Sequence, residues 1–315
     1  MIDFMTSMRA VSQSRFGGPE VLTEVDLPKP QAGPTEVLVA VRAAGVNPAD
    51  AKWRAGEALF GEPPFVLGWD VSGVVEQVGV GVTTHRPGDE VFGMPLFPRP
   101  AGAYAEYVVA PSRQFVAKPA ALDHPHAAAL PLVGLTAWQS LVETARVREG
   151  QRVLVHAAAG GVGHVAVQIA KARGAHVIAT ASAAKHEFVR SLGADEVVDH
   201  TAVDFAEVVR DVDVAFDTVG GDVGARSVPT VRDGGLVVTI LGATQEAVER
   251  AAGDRVRVAG VLVEPDRLGL LALADLVERG LLRVEVEAVL PLSRAAEAHE
   301  RIESGRTRGK IVLTP

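Results

Sequence analysis

Cysteine is the first thing the sequence lacks, since none occurs among its 315 residues. This absence excludes disulfide bonds, thiolate nucleophiles and every zinc site that uses a cysteine ligand. Nine histidines remain, but the pair His124 and His126 has no further ligand cluster nearby in sequence. A polar loop explains that pair better than a metal site, so we expect no bound metal.

Basic charge and long apolar runs are also scarce. Lys and Arg number 31 against 39 Asp and Glu, which gives a net charge of -8. Nucleic-acid binding depends on clustered basic side chains, so we expect no such partner. No apolar run could cross a bilayer, and residues 1–7 lack the pattern of a secretory signal, which predicts a cytoplasmic protein without membrane contact. Met8 fits a native start better than Met1, so residues 1–7 are assigned no function.

Apolar residues, in contrast, suffice for more than one hydrophobic core. They make up 48% of a chain that is longer than a single core usually supports, which predicts two domains. Residues 8–123 carry short β-patterned runs separated by Gly and Pro, typical of a β-rich domain. Residues 124–263 alternate apolar strands with helices, typical of a doubly wound parallel sheet. Residues 264–315 return to short alternating strands, which we expect to rejoin the first domain.

Three segments carry predictions with definite bounds. The alternating run Tyr104–Ala110 predicts a strand. An apolar stripe over Thr136–Thr144 predicts a helix, separated from the preceding apolar run by Pro131 and Gly134. Val258–Val263 predicts a strand at the edge of the parallel sheet.

The strongest local signal is a glycine turn between a predicted strand and a predicted helix. It runs from Val153 to Gly163, and the three small positions of the dinucleotide fingerprint fall on Ala158, Gly160 and Gly163. Such a turn seats a pyrophosphate on the free N–H groups and positive dipole end of the helix. A purely structural turn is the alternative, but the turn follows the first strand of a long α/β alternation, which favours a cofactor site. The predicted contacts are Ala159, Gly160, Gly161 and Val162.

The end of the next predicted strand lacks the acid that an NAD site uses. NAD-binding folds place Asp or Glu there for the ribose 2′-hydroxyl, whereas this chain has Ser182 and Lys185. A hydroxyl and a positive charge suit a 2′-phosphate, so we predict NADP as the cofactor. Ser182 as the N-cap of the following helix is a second interpretation, compatible with the first.

Several separated motifs together resemble the zinc-free quinone oxidoreductase (zeta-crystallin-like) branch of the medium-chain dehydrogenase/reductase superfamily, over nearly the whole chain. The resemblance implies an α/β fold with a GroES-like β-rich catalytic domain and a doubly wound Rossmann cofactor domain, the nicotinamide lying in the cleft between them. Besides the glycine turn, the motifs are Gly45-Val46-Asn47-Pro48-Ala49-Asp50, Gly68-Trp69-Asp70-Val71-Ser72-Gly73, Leu130-Pro131-Leu132-Val133-Gly134-Leu135-Thr136-Ala137, Asp217-Thr218-Val219-Gly220-Gly221 and Arg308-Gly309-Lys310-Ile311-Val312-Leu313.

The same resemblance makes the zinc alcohol dehydrogenases cousins of this chain. Where those enzymes carry a cysteine ligand, this chain has Asn47, and where they carry Gly-His-Glu, it has Gly68-Trp69-Asp70. Without a Lewis acid, the substrate must already be electron-poor. The resemblance therefore implies hydride transfer from NADPH to a small quinone or α,β-unsaturated carbonyl.

Three residues, Asn47, Lys52 and Trp53, are implied as catalytic. Asn47 is expected beside the nicotinamide, although a turn residue before Pro48 explains it nearly as well. Lys52 is expected to donate a proton or stabilise an oxyanion, with a solvated surface lysine as the alternative. Trp53 and Trp69 are expected to line the cleft or to fill core.

The resemblance also implies cofactor contacts outside the glycine turn. Thr136 is expected at the nicotinamide end, or else as a plain helix start. His200 stands where the family commonly has Tyr near the adenosine phosphate, and further contacts are expected at strand ends. Two basic residues near the C-terminus are expected to reach back to the cofactor, with a solvated basic tail as the alternative. The strand-end residues are Val219, Gly220, Leu241 and Gly242, and the basic residues are Arg306 and Arg308.

Two rival functions stay open on the sequence. One is an enoyl-thioester reductase of a biosynthetic pathway, and the other is a non-catalytic NADPH-binding protein of the crystallin or redox-sensor kind. The acceptor is not identified by the sequence, because specificity is expected to lie in the loops Leu59–Pro64 and Met94–Ala103. A homodimer through the edge strand Val258–Val263 is expected from the resemblance.

Overall fold

The computed structural model describes residues 7–57 and 61–315. The predictions for residues 1–6 and for the start of the loop Leu59–Pro64 therefore lie outside the described residues. Within the described part, the strands in chain order are β1 (Ser7–Gln13), β2 (Thr23–Pro28), β3 (Glu36–Val46), β4 (Phe65–Val66), β5 (Asp70–Val78), β6 (Glu90–Gly93), β7 (Tyr107–Pro111), β8 (Phe115–Ala117), β9 (Arg152–Val155), β10 (His176–Ala181), β11 (Glu196–Asp199), β12 (Val212–Asp217), β13 (Val231–Thr239), β14 (Arg257–Gly260), β15 (Val286–Pro291) and β16 (Lys310–Thr314).

The helices alternate with the strands mainly in the second half of the chain. Among the described residues, the helices in chain order are α1 (Pro48–Ala55), α2 (His124–Ala128), α3 (Pro131–Trp138), α4 (Gly161–Ala172), α5 (His186–Ser191), α6 (Phe205–Val208), α7 (Val223–Ser227), α8 (Gly242–Ala252), α9 (Arg267–Glu278) and α10 (Ala295–Glu303). A π-helical turn, Gln139–Thr144, continues directly from α3.

The chain forms two compact units. The first comprises Met1–Leu132, Glu264–Glu278 and Val284–Pro315, and the second comprises Val133–Val263 and Arg279–Arg283. The first unit is β-rich, with one three-stranded sheet in the order β2-β1-β4. Its larger sheet runs β15-β16-β3-β5-β6-β8, with β7 also paired to β3.

Strand β3 organises the larger sheet of the first unit. It is a long apolar strand whose residues Val37, Val39 and Val41 are almost fully buried. Strand β5 pairs with it antiparallel, with Gly45 opposite Asp70. The C-terminal strand β16 pairs antiparallel along the same end, with Ile311 opposite Val46. The register therefore places the end of β3, the start of β5 and the start of β16 at one point.

The second unit is built on a six-stranded, fully parallel sheet in the order β11-β10-β9-β12-β13-β14. The chain moves outward from β9 through β10 to β11, then crosses to β12 on the other side of β9. Its strands are apolar on both faces, as expected for a sheet covered by helices on each side. A buried cluster that includes Leu154, Ala215 and Val248 packs beside this sheet. The prediction of an α/β protein with a β-rich unit and a doubly wound parallel unit is confirmed.

Three predicted element bounds are wrong. The strand predicted over Tyr104–Ala110 begins at Tyr107, and the edge strand predicted over Val258–Val263 is Arg257–Gly260. The helix predicted over Thr136–Thr144 already begins at Pro131, because proline is well tolerated in the first turn of a helix. Thr136 consequently lies inside α3, so its interpretation as a helix start is also wrong.

Among the described residues, the structure contains no helix with the length and apolar character that a bilayer crossing requires.

Candidate functional site

The glycine turn lies at the carboxyl end of the central strand β9 and leads into α4. Ala157 adopts a left-handed backbone conformation with φ of 46°, which is rare for a residue with a side chain. Its N–H donates to Thr180 Oγ1 at 3.2 Å, and the Ala158 N–H donates to the Thr180 carbonyl at 2.9 Å. The neighbouring strand β10 thus holds the turn in a strained shape, a feature common at ligand sites.

The start of α4 presents backbone donors away from the helix. The first bond into the helix runs from the His164 N–H to the Gly160 carbonyl, at 3.0 Å. By helix geometry, the N–H groups of Gly161, Val162 and Gly163 then have no acceptor within the helix. With the positive end of the helix dipole beside them, these donors suit an anionic group such as a pyrophosphate.

Gly163 permits the close approach of α4 to the turn. A Cβ at this position would lie 2.2 Å from the Ala157 carbonyl oxygen and 2.7 Å from Ala158 Cα. Both are backbone atoms, so the contact could be relieved only by moving the turn or the helix. The third small position of the fingerprint is therefore required here by packing.

His156, which directly follows β9, holds the start of the glycine turn in place. Its Nδ1 lies 3.2 Å from Thr180 Oγ1 and its Nε2 lies 2.9 Å from Ser227 Oγ, while the ring packs edge-on against Phe205. Burial lowers the pKa of His156 to about 3, so the ring is neutral at physiological pH. A neutral imidazole can donate through one nitrogen and accept through the other, which ties β10 and α7 to β9.

The predicted 2′-phosphate residues follow β10 and β11 at the same edge of the sheet. Ser182 is partly buried and precedes a 3-10 turn, Ala183–Lys185, but its side chain makes no capping hydrogen bond. Ser182 therefore lies at the N-cap position of this turn, but its side chain does not make the hydrogen bond of a capping serine, and α5 itself begins after Lys185. Lys185 ends that turn and is partly exposed, and His200 is exposed just beyond β11. Parallel strands bring all three to the edge that carries the glycine turn.

The ends of β12 and β13 complete this edge on the other side of β9. Asp217, which is fully buried, accepts the N–H groups of Val219 and Gly220 on Oδ1, each at 2.9 Å. Leu241 and Gly242 follow β13, where α8 begins. Since the strand order reverses between β9 and β12, the predicted residues of the second unit flank the switch point at which such sheets bind ligands.

Thr136 belongs to the second unit but not to this edge of strands. It is 4% exposed within α3, one residue after the fully buried Leu135. The helix continues as the π-helical turn Gln139–Thr144, a geometry that is frequent at functional sites.

In the first unit, Asn47 lies in a buried polar cluster at the start of α1. Its Nδ2 donates to Asp70 Oδ2 at 2.9 Å, and its Oδ1 accepts a short hydrogen bond from Lys310 Nζ. Lys310 also lies 3.2 Å from Asp70 Oδ2, and all three side chains are at most 2% exposed. Asp70 and Lys310 both belong to motifs of the sequence, but no role for either was predicted from it.

Asp50 adds a second carboxyl group next to this cluster. Its Oδ2 accepts the Asn47 N–H at 2.8 Å, and its Oδ1 accepts the Gly68 N–H at 3.1 Å. Complete burial, reinforced by the negative charge of Asp70 and opposed by these hydrogen bonds and by Lys310, raises the pKa of Asp50 to about 7. Asp50 therefore titrates near neutral pH.

The other two predicted catalytic residues lie on α1 in different environments. Lys52 is exposed, whereas Trp53 is 4% exposed and packs edge-on against Trp69, with ring centroids 5.1 Å apart. Trp69 donates its Nε1–H to the Arg99 carbonyl at 2.8 Å and is 1% exposed, so it fills core. Within residues 7–57 and 61–315, the buried Trp53 Nε1 has no hydrogen-bond partner.

A second buried polar chain joins α1 to α10. Arg54 lies 3.2 Å from His299 Nδ1 and forms a 2.7 Å ion pair with Glu303. His299 Nε2 lies 3.2 Å from Tyr104 Oη. Burial, together with the nearby Arg54 charge, lowers the pKa of His299 to about 3, so the arginine donates to a neutral ring.

The predicted C-terminal basic residues lie in the first unit and are both exposed. Arg308 forms a 2.6 Å ion pair with Glu285, and its backbone N–H donates to Glu287 at 2.5 Å. Arg306 precedes it in the loop between α10 and β16. The structure thus places Arg308 against the acidic residues at the start of β15, a contact that the sequence pattern does not predict.

One further cluster has the residue types of a hydrolase triad, but a substrate cannot reach its serine. Ser72 Oγ lies 2.8 Å from His124 Nδ1, and His124 Nε2 lies 3.4 Å from Glu90. Ser72 is fully buried, and its hydroxyl donates to the Val91 carbonyl. A nucleophile so covered cannot reach a substrate, so these residues are structural. Among the described residues, no group of three or more His, Asp or Glu side chains could hold a metal ion.

Sequence comparisons agree with this architecture. Residues 33–120 match the family described as Alcohol dehydrogenase GroES-like domain, and residues 192–313 match the family described as Zinc-binding dehydrogenase. A 2-haloacrylate reductase from Burkholderia sp is 36% identical, over 95% of this chain and 96% of its own length.

Two solved structures share the fold over the whole chain. The quinone oxidoreductase from Coxiella burnetii is 38% identical with a TM-score of 0.93, over 98% of this chain and 100% of that one. The Escherichia coli quinone oxidoreductase complexed with NADPH is 30% identical with a TM-score of 0.89, again over 98% and 100%.

Proposed function

Because the chain belongs to the zinc-free quinone oxidoreductase branch of the medium-chain dehydrogenase/reductase superfamily and is an oxidoreductase, we propose that it reduces a quinone or α,β-unsaturated carbonyl with NADPH. The observation that carries this proposal is the carboxyl edge of the parallel sheet. There the donors of Gly161, Val162 and Gly163 emerge beside strand β10, which ends without an acid.

The residues present fit NADPH. The close approach at Gly163 and the unpaired helix-start donors suit the pyrophosphate, with Ala159 and Gly160 completing the turn. Ser182 and Lys185 would hold the 2′-phosphate, and His200 would lie near the adenosine. Val219, Gly220, Leu241 and Gly242 would line the path toward the nicotinamide, with Thr136, Arg306 and Arg308 as further contacts. When bound, NADPH supplies the hydride.

The chemistry of the acceptor follows from what the chain can offer it. Reduction adds one hydride and one proton to the acceptor, so a donor must serve the oxygen that gains charge. Lys52, exposed on α1, would supply this donor and the proton, and Trp53, buried on the same helix with no Nε1–H partner among the described residues, would line the acceptor site. Both a quinone and an acrylate-type alkene are electron-poor enough to accept hydride under these conditions.

The test measures NADPH oxidation with a panel of acceptors in the presence of chelator. A quinone, an enone, an enoyl thioester and a simple aldehyde are compared, with NADH as the control cofactor. Turnover of the quinone or enone with NADPH, but not of the aldehyde, supports the proposal. Exclusive turnover of the thioester would identify an enoyl-thioester reductase instead. NADPH binding without turnover of any acceptor would indicate a non-catalytic binding protein.

We also propose that two copies of the chain pair along β14. This strand ends the parallel sheet, so its outer edge offers unpaired backbone groups. Light scattering coupled to size exclusion should give the mass of a dimer, and Val258→Pro should convert it to a monomer because proline removes a strand N–H donor. A monomeric wild-type protein would exclude this assembly.

A further inference from the structure

Lys310 is a fully buried and fully hydrogen-bonded ammonium group. It begins β16 and is 2% exposed. Its Nζ donates to the Val46 carbonyl at 2.9 Å, to Asn47 Oδ1, and to Asp70 Oδ2 at 3.2 Å. An ammonium group has three donors, and three acceptors surround this one.

Asp70 is the counter-charge, and it is equally well satisfied. It is fully buried, and its Oδ1 accepts the Leu132 N–H at 2.6 Å while its Oδ2 accepts from Asn47 and Lys310. Burial of two opposite charges costs solvation that their attraction rarely exceeds, so an apolar pair of the same size would stabilise the fold about as well. Stability alone therefore does not explain this pair.

The position of the pair in the fold indicates what it does. Sheet register brings the end of β3 and the starts of β5 and β16 together, and Lys310 bonds to the first two. Gly45 leaves space for the Asp70 carboxylate, since a Cβ at this position would lie 2.7 Å from Asp70 Oδ2. Asn47 immediately precedes α1, the helix that carries Lys52 and Trp53.

The donor set at this point does not fit zinc, although the matching family is described as zinc-binding. Trp69 is an indole donor already bonded to the Arg99 carbonyl, and Asn47 is held on both sides of its amide. A cationic ammonium stands among the oxygens that a metal ion would need. No step of the proposed reaction passes through a metal here.

We propose that Lys310 is a positioning residue, an internal cation that fixes Asn47 and the start of α1 at a point where the donor set does not fit a metal. Asn47 is fully covered, so Lys310 acts through Asn47 and α1 rather than by touching the acceptor. The Asn47 side chain accepts from Lys310 Nζ and donates to Asp70 Oδ2, which fixes the plane of its amide, and the Asn47 backbone N–H donates to Asp50 Oδ2. The catalytic part of this inference rests on the proposed function, because it assumes that Lys52 and Trp53 on α1 serve the acceptor.

Paired substitutions separate positioning from stability. Lys310→Met leaves Asp70 buried without a cation and should lower the midpoint of thermal unfolding by roughly 10 °C. The double variant Lys310→Met/Asp70→Asn removes both charges and should recover most of that loss. Lys171→Met is the matched control, because it breaks a half-exposed ion pair with Asp195 and should shift the midpoint by only about 1–2 °C.

Activity of the double variant then tests the role of the ammonium. With the fold restored, kcat should stay about 10- to 100-fold below wild type, while the Kd for NADPH, for which most of the proposed contacts lie in the second unit, stays within about twofold. A double variant with wild-type kcat would show that the pair only fills space and would overturn the proposal.

Hydrogen exchange and metal analysis give readouts that do not depend on turnover. Exchange over α1 should be faster in the double variant than in wild type, with α4 unchanged, and unaltered exchange in α1 would overturn the proposal. Stoichiometric zinc in wild-type protein from zinc-supplemented culture would overturn it as well. If wild type turns over no acceptor, the proposed function fails, and the exchange comparison still decides the role of Lys310.

Discussion

The substitution Gly163→Ala tests the cofactor site most directly. The added methyl group would lie 2.2 Å from the Ala157 carbonyl oxygen, whereas ordinary contact begins at 3.4 Å. The difference, 3.4 minus 2.2, means that α4 and the turn must separate by about 1.2 Å. A shift of this size takes the helix-start donors out of hydrogen-bond range of a phosphate whose position the rest of the site fixes.

The expected loss follows from the hydrogen bonds at risk. A hydrogen bond to a charged group contributes about 1.5–3 kcal/mol, so losing one weakens NADPH binding by roughly 10- to 150-fold. The methyl group also overpacks the turn by about 1–3 kcal/mol, which lowers the unfolding midpoint by roughly 2–12 °C. Isothermal calorimetry with NADPH and a thermal melt measure the two effects separately.

A matched control distinguishes this clash from a general cost of alanine for glycine. In Gly33→Ala the new methyl group meets only the far end of the Glu36 side chain, at 2.9 Å, which can rotate away. NADPH affinity should then be unchanged. An unchanged NADPH affinity in Gly163→Ala, or an equal loss in both variants, would refute the assignment of this turn to the cofactor.

Three further predictions follow from charge. Ser182→Asp should lower the ratio of kcat/KM for NADPH over NADH by roughly 10- to 100-fold, because an acid repels the 2′-phosphate and accepts the ribose hydroxyl; an unchanged ratio would place the phosphate elsewhere. The pKa of Asp50 rises from 3.8 unfolded to about 7 folded, so its stabilisation is complete below pH 3.8 and is lost as pH rises through 7. The free energy of unfolding of wild type, measured with urea, should therefore fall by up to about 4 kcal/mol between pH 4 and 7, and this fall should be absent in Asp50→Asn. The pKa of His156 falls from 6.5 in the unfolded chain to about 3 in the folded protein, so the stabilisation from its neutral ring is complete above pH 6.5 and is lost as pH falls toward 3. Between pH 6.5 and 3, the free energy of unfolding of His156→Leu should therefore fall by up to about 5 kcal/mol less than that of wild type.

The second unit could be predicted closely because its signals are local. The apolar run at Val153–Val155, the glycines at 160, 161 and 163 and the helix that follows are contiguous, and each constrains its neighbours. Parallel strands then bring the residues after each strand to one edge without any knowledge of side-chain contacts. His156 was missed because a histidine in an apolar strand shows its partners only when the strands are packed.

The cluster in the first unit could not be predicted for the opposite reason. Lys310 and Asp70 are 240 residues apart, and only the register of β16 and β5 on β3 brings them together. One feature of the sequence did point to Lys310, since this lysine is the first residue of a short strand that continues with the apolar residues Ile311-Val312-Leu313. Its meaning depended on which strand lay beside it, and that is a property of the fold rather than of the local sequence.

The pairing of β16 with β3 also bears on how the chain folds as it leaves the ribosome. The second unit needs little beyond residue 263 for its parallel sheet, so it can form while synthesis is still under way. The sheet of the first unit stays open until the last strand emerges, and until then Asp70 has no lysine beside it. Translation stopped short of residue 310 would leave a folded cofactor unit attached to an incomplete partner exposing apolar strands, a natural substrate for chaperones and proteases.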